Sequence, residues 1–461
     1  MTIESARGLP DTGGARPIRR STMPIQPRHL LVPVFCLTVA ACASEPVASA
    51  TSQSTPSDTA NTPAATTSAS EMRMSAPPAA ESTVRDSNGF DAWVSSFRQR
   101  ASARGVSRQV LDEAFDRATF QPRIIELDRR QPEFTRAIWG YLDSAVSDTR
   151  VRQGRDKLAT HDAIGREVER RYGVPRTIIG AIWGVESNYG SNFGSYETID
   201  ALATLGYDGR RTRFAEEQLY AALEILANGD IDRDRMRGSW AGAMGHTQFI
   251  PTSFNAYAVD EDGDGRRDIW NSIADVMGST ANYLKSNGWQ RGSTWGREVV
   301  LPPNFDYARA ELDTRRSTEA WRAAGVRAVD TRGLPGFESA SIIAPAGAHG
   351  PAFMAGPNFR TILRYNNATS YALAVGLLSD RLAGQPGVQG DWPRTLASLS
   401  RTEIREMQRL LNRLGHGTGT PDGIMGPNTR AGLRAFQRAN GMTADGYPTH
   451  ELLRRIRAAA G

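Results

Sequence analysis

Cysteine is almost absent. The 461-residue chain holds two, Cys36 and Cys42, both near its start. No disulfide framework or cysteine-rich metal site can therefore form in the body of the protein. Long apolar runs are scarce as well. The one that stands out, residues 30–43, is too short to span a bilayer comfortably as a helix. Nor does one sign of charge dominate. Lys and Arg number 55 against 50 Asp and Glu, a formal net charge of +5. No dense basic run is interleaved with aromatics, so a nucleic acid is not an expected partner. A polyanionic polymer would suit the same balance.

What is present begins with that short apolar run. Arg19, Arg20, Arg28 and His29 precede it and small residues close it, the layout of a secretory signal. It ends in Val39, Ala40, Ala41 and Cys42, which resembles the bacterial lipoprotein signal. There the cysteine becomes the lipidated first residue, because its thiol carries the diacylglycerol. Lipidation at Cys42, with 1–42 as signal peptide, is the expectation. Starting at Met23 instead of Met1 would give a signal of ordinary length. Residues 43–86 are rich in Ser, Thr, Ala and Pro with almost no aromatics. Such a segment cannot bury a core and reads as a disordered tether. An anchored tether lets a protein reach a nearby layer while held at a membrane.

From residue 87 the pattern becomes mainly α. Phe90, Trp93 and Phe97 start a helical periodicity; Ile138, Leu142 and Val146 continue it, as do Leu219, Leu223 and Leu226. Period-two alternation is rare, with a short strand at 298–301 the one candidate. Residues 87–384 read as one mostly helical domain. Gly and Pro then mark 385–397 as a linker. Residues 398–459 form a small three-helix unit: Ile404, Met407 and Leu411 on one helix, Leu433 and Phe436 on a second, Leu452, Leu453 and Ile456 on a third. Thr449 is placed to cap the third, and Asn428 or Thr429 the second.

Glu186 draws attention within the domain. A helix beginning near Val174 and Pro175 would carry Ile178, Ile182 and Val185 on one face, with Gly190 able to end it. Glu186 then lies in the last turn beside Ile182 and Trp183. The partial negative charge of a helix C-terminus and apolar neighbours both oppose ionisation. Both would lift its pKa toward the range a general acid needs. A glutamate at an ordinary exposed helix end is the alternative that this local reading leaves open.

The surrounding motifs close that alternative. Residues 181–190 read AIWGVESNYG, followed by ALATL at 201–205 and the Arg210–Arg211 pair. GSWAGAMG at 238–245, TQFIP at 247–251, then Arg364, Tyr365, Asn366 and Tyr371 follow in order. Together, over about 90–383, they resemble the membrane-bound lytic transglycosylase B family, which degrades peptidoglycan. The resemblance implies a lysozyme-like helical catalytic domain with Glu186 as its catalytic residue. It further implies that Ser239 and Gln248 hydrogen-bond near Glu186 or the sugar N-acetyl group. Tyr365, Asn366 and Tyr371 would line the cleft. Arg210 and Arg211 would hold substrate carboxylates, a task guanidinium forks suit.

Residues 260–265, DEDGDG, resemble the start of an EF-hand loop, making the fold's loop EF-hand-like. Asp260, Asp262 and Asp264 alternate as ligands, Asp268 takes the ninth position, and Gly265 allows the sharp turn. The twelfth position holds Asn271 rather than Glu; Asp275, slightly further on, is the candidate to close the site. A structural Ca2+ is the expectation, with no cofactor for catalysis. In the last unit, PDGIMGPNTR at 421–430 resembles the peptidoglycan-binding domain of wall-degrading enzymes. Such a module concentrates an enzyme on its polymer.

The resemblance implies cleavage between N-acetylmuramic acid (MurNAc) and N-acetylglucosamine (GlcNAc), leaving 1,6-anhydro-MurNAc ends. Ordinary glycosidases pair two carboxylates across the bond, and no second acid sits in a suitable motif near Glu186. A water-using muramidase and a non-catalytic wall-binding scaffold are the rival readings. The expected setting is the periplasm, on an outer-membrane lipoprotein acting as a monomer with peptidoglycan as partner.

Overall fold

The computed structural model describes residues 87–129 and 137–461. The signal 1–42 with Cys42, and the tether 43–86, lie outside the described residues. Among those described, no helix is long and apolar enough to cross a membrane.

The first helix, Ser87–Ala103, buries Phe90, Val94, Phe97 and Ala101 on one stripe, the spacing an amphipathic helix needs. The helix Arg176–Ser187 is different. Every residue from Ile178 to Gly184 is buried, so it is apolar all round and forms the centre of the domain. Helices Asp148–Thr160, Asp162–Tyr172, Ile273–Ser286 and Thr369–Leu382 surround it. The closest approaches fall at glycines. A methyl group on Gly184 would meet the Tyr189 ring 2.7 Å away.

One part of this domain is not helical. Strands β1 (Tyr196–Glu197) and β2 (Arg237–Gly238) pair in a small ribbon. Strands β3 (Gly296–Val300), β4 (Arg327–Ala328), β5 (Ser341–Ile343) and β6 (Ala352–Ala355) form an antiparallel sheet in the order β4-β3-β6-β5. Glu298 sits opposite Phe353, and Ile342 opposite Met354. Trp321, Val326, Phe337, Ile342 and Met354 make this subdomain's own core. The sequence pattern foresaw only one short strand here.

The C-terminal unit has three helices, Arg401–Arg413, Pro427–Ala439 and His450–Ala460, around Met407, Leu411, Leu433, Phe436, Leu453 and Ile456. Thr449 accepts from Leu452 N as expected. The second helix corrects the cap: Gly426 is the N-cap and Pro427 opens the helix, since proline needs no N–H partner there. Thr429 is instead buried, its hydroxyl donating to Ile424 O and accepting from Gln408 Nε2.

The expected linker is strapped down. Gln389 N and Gly390 N each donate to the Glu298 carboxylate at 2.7 Å. The Trp392 ring lies 6.4 Å from Phe353 and 6.3 Å from Trp139. Arg394 grips Asp143 with both terminal nitrogens. The C-terminal unit then rests on the sheet subdomain: Asp445 accepts from Ala348 N, and Arg434 pairs with Glu311.

Candidate active site

The central helix ends one residue past Glu186. Asn188 and Tyr189 both take left-handed backbone angles, with φ of 48° and 58°. Gln248, with φ of 52°, is the third non-glycine residue to do so among the described residues. Non-glycine residues in this region store strain, about 1 kcal/mol or more each, and cluster where geometry matters. Here the double left-handed turn swings Tyr189 back so that its hydroxyl donates to Arg150 O at 3.0 Å. The ring packs edge-on against Trp183. Glu186 is thereby presented on a rigid, sharply ended helix.

Glu186 as a residue is half-buried. Burial lifts its pKa from 4.5 to about 7, against the opposing effect of a hydrogen bond from Tyr371. Tyr371 Oη donates to Glu186 Oε1 at 2.6 Å. Among the described residues no other carboxylate contributes to that shift. Two carboxylates sharing a site would each raise the other's pKa, and no such partner is felt here.

An aromatic wall faces the acid. The Tyr371 ring lies nearly parallel to Tyr365, centroids 6.4 Å apart. Tyr365 packs on Phe249 and Tyr283 and donates its hydroxyl to Thr247 O at 2.7 Å. Burial, then the Glu186 charge, pushes both phenols far above their usual range. They therefore remain neutral O–H donors. Asn366 ends the Tyr365 helix with an extended backbone and a half-buried side chain.

Other expected residues serve the frame. Ser239 Oγ accepts from Ala241 N and Ala243 N, tying the loop that it begins. Its hydroxyl makes no hydrogen bond to Glu186. Gln248 Nε2 donates to Phe193 O and Gly245 O, both at 2.9 Å, leaving its Oε1 as a spare acceptor. Arg210 and Arg211 are committed elsewhere. Arg210 Nε and Arg211 Nε lie 2.5 and 2.9 Å from the two oxygens of Asp128, whose side chain is 1% exposed. The pair neutralises a buried carboxylate within the protein, while the two Arg side chains themselves stay 43% and 25% exposed.

Sequence reasoning missed Tyr141 and Arg150. Burial, with Glu186 next, raises the Tyr141 phenol to about 12, which places it in the field of the acid. Arg150 donates to Ser144 O at 2.8 Å and its Nε lies 3.4 Å from Asn188 Oδ1, bracing the turn behind Glu186. Tyr141 follows the Ile138-to-Leu142 helical stripe, which reads as core, so its sequence carried no separate signal. His246 stacks on Trp183 at 5.9 Å, and burial lowers its pKa to about 4. It is neutral packing, not a charged catalyst.

In the acidic loop, oxygen atoms of Asp260, Asp262 and Asp264 lie within 4.8 Å of one another. Gly263 and Gly265 turn the chain with φ of 78° and 91°, angles that glycine adopts without strain. Gly265 N and Gly263 N donate to Asp260. Asp268 and Asp275 do not join the cluster. Asp268 Oδ1 caps Trp270 N and Asn271 N, while the buried Asp275 accepts from Glu261 N and Asp268 N at 2.7 Å each. Three hard oxygen donors thus stand together and fit a cation such as Ca2+, and since Asp260 accepts backbone amides as Asp268 and Asp275 do, those bonds do not remove the latter two from the ligand set.

Glu186, its phenol donor and the strained turn all lie within a stretch that matches known proteins. The transglycosylase SLT domain model matches residues 89–380. The chain belongs to that family. It is a lytic transglycosylase, and a peptidoglycan binding domain model matches 400–456. It is 32% identical over 295 residues to membrane-bound lytic murein transglycosylase B of Escherichia coli, covering 60% of this chain and 79% of that protein. The crystal structure of SltB3 from Pseudomonas aeruginosa, in complex with NAG-anhNAM-pentapeptide, is 51% identical. It covers 80% of this chain and 99% of that chain, with a TM-score of 0.77. Escherichia coli Slt35 in complex with calcium is 30% identical, covering 65% and 93%, with a TM-score of 0.55.

Proposed function

We propose that this lytic transglycosylase cleaves the MurNAc–GlcNAc β-1,4 bond with Glu186 as sole acid and base. The observation that carries this is the isolation of Glu186: a pKa near 7 raised by burial, with no second carboxylate acting on it among the described residues. Glu186 gives its proton to the glycosidic oxygen as the C1–O bond breaks, and GlcNAc leaves with a free 4-hydroxyl. The substrate's N-acetyl carbonyl stabilises the cationic anomeric centre. The carboxylate then takes the proton of the MurNAc C6 hydroxyl as that oxygen bonds to C1. A 1,6-anhydro ring results, and no water is consumed.

Tyr371 holds the Glu186 carboxyl in line, and Tyr365 and Asn366 form the adjacent cleft wall. The spare Gln248 Oε1 suits the N–H of an N-acetyl group, with Ser239 acting through the loop it ties. Asp260, Asp262 and Asp264 would hold a structural Ca2+ that braces the segment following Gln248. The similarity to a relative named as membrane-bound supports a lipid anchor at Cys42 and a periplasmic site of action.

Mass spectrometry of products from purified sacculi tests the reading. Anhydro ends are expected; reducing ends, heavier by one water, would establish a muramidase instead. Glu186→Gln is expected to lose at least a thousandfold in rate while keeping its fold. Near-normal turnover in that variant would remove Glu186 from the mechanism.

A further inference from the structure

His246 is a buried titratable group that the proposed reaction leaves unused. Its ring stands where the catalytic helix meets the loop that carries Gln248. On the helix side it stacks on Trp183, three residues before Glu186, with centroids 5.9 Å apart and planes 18° apart. Its edge meets the turn that follows Glu186: a methyl group on Gly190 would come within 2.3 Å of the ring's Cε1. On the loop side it tilts against Phe193 at 5.4 Å. The ring is thus held on three sides.

The backbone at His246 is fixed as well. Its N–H donates to Ile269 O at 2.9 Å, and its carbonyl accepts from Ser187 Oγ at 2.9 Å. Ser187 is the last residue of the catalytic helix and the neighbour of Glu186. Two residues on, Gln248 holds its left-handed φ of 52°. The Gln248 amide is oriented by two carbonyls, Phe193 O and Gly245 O, each 2.9 Å from Nε2. The first belongs to the residue whose ring His246 supports, and the second to the residue before His246. The acid–base chemistry of the imidazole plays no part. Burial lowers its pKa to about 4, so it is neutral at neutral pH. Its Nδ1 has no hydrogen-bond partner among the described residues. What the position uses is a flat, rigid face.

We infer that His246 is a positioning residue: its ring sets the spacing between the turn behind Glu186 and the side-chain amide of Gln248. The inference rests on the proposed role of Gln248 Oε1 toward the N–H of the substrate's N-acetyl group. In that reaction the N-acetyl carbonyl must reach the anomeric carbon while Glu186 protonates the glycosidic oxygen. The two groups therefore need a fixed separation, and a misplacement of about 1 Å can cost roughly a hundredfold in rate. Glu186 has its own restraint in the hydrogen bond from Tyr371. Loss of the ring frees Phe193, and with it the Gln248 amide, but leaves the acid in place.

The test is steady-state cleavage of a soluble GlcNAc–MurNAc tetrasaccharide by the full chain, counted as all bonds broken per folded enzyme. In His246→Ala kcat should fall at least tenfold while KM stays within threefold, the pattern of a misplaced group rather than a lost contact. His246→Phe restores a flat ring and should return kcat to within fivefold of wild type. The alkaline limb of the kcat/KM profile should stay where it is in both. In a Gln248→Ala background, His246→Ala should cost less than a further threefold, because the amide that it places is gone. If His246→Ala does not fold, His246→Leu, which keeps much of the volume but not the flat face, carries the test with the same thresholds. A kcat within twofold of wild type, a shifted limb, a failed rescue by phenylalanine, or a full tenfold loss on top of a slow Gln248→Ala would each overturn the role of His246 alone. Wild-type turnover in Gln248→Ala would overturn the reading of Gln248 at the N-acetyl group, and the His246 role with it.

Discussion

Glu186 has one hydrogen-bonding phenol and a pKa of about 7, and the sign of its pH dependence follows. In the proposed reaction the acid must be protonated when substrate arrives. On the free enzyme kcat/KM should therefore be flat below pH 7 and fall about tenfold per unit above it. Tyr371 donates to the carboxylate, favouring the charged form and holding the pKa down. Removing that donor in Tyr371→Phe should move the alkaline limb to higher pH. The plateau should also drop by about ten- to a hundredfold, since a hydrogen bond to a charged group contributes roughly 1.5–3 kcal/mol. A Tyr371→Phe profile with an unmoved or lowered limb would show that the phenol does not set the acid's pKa. The residue scale also marks where sequence reading stops. Glu186 was legible because its motif is contiguous and its place in the last turn is local. What the Arg210–Arg211 pair meets within the protein was not legible, because Asp128 lies 82 residues from Arg210. No local pattern reports a buried carboxylate at that separation.

Elements were legible to the extent that they were amphipathic and capped. The helices of the C-terminal unit show one apolar stripe each, and Thr449 caps the last of them. The four-stranded sheet was hidden for a physical reason. Residues of β5 and β6 are buried without alternation, and period two is visible only where one face meets water. The acidic loop was half legible. Spacing placed Asp260, Asp262 and Asp264 together, but did not show the backbone amides that Asp268 and Asp275 also accept. Three clustered carboxylates without a cation repel, so Ca2+ should stabilise the folded chain. Calorimetric titration after chelation should show uptake at or below millimolar Ca2+. At a hundredfold excess over Kd the gain is about 2.7 kcal/mol, read as a rise in Tm. Asp262→Asn should lose most of that rise. An equal Tm with calcium and with chelator would leave the loop a turn held by its own hydrogen bonds.

At the scale of the molecule, the catalytic domain and the C-terminal unit are joined by a segment rich in glycine and proline. The composition is misread if taken alone. The strap's extended amides at Gln389 and Gly390 find a buried acceptor in Glu298, Trp392 fills the seam, and Arg394 closes on Asp143. The unit at 400–456 is therefore positioned against the catalytic body and does not trail on a leash. Glu298 is the weak point of this arrangement, since both charge-assisted bonds end on one carboxylate. In Glu298→Gln one oxygen can still accept, but the amide NH2 confronts the second backbone N–H. Losing one such bond costs about 1.5–3 kcal/mol, enough to raise the open population of the strap some ten- to a hundredfold. Trypsin reads that population at Arg394, within the strap itself. Cleavage there should accelerate at least tenfold in Glu298→Gln. The released C-terminal fragment should stay folded on its own core of Leu411, Leu433, Phe436 and Leu453. An unchanged rate at Arg394 would mean that the aromatic seam at Trp392, rather than the Glu298 carboxylate, holds the two halves together.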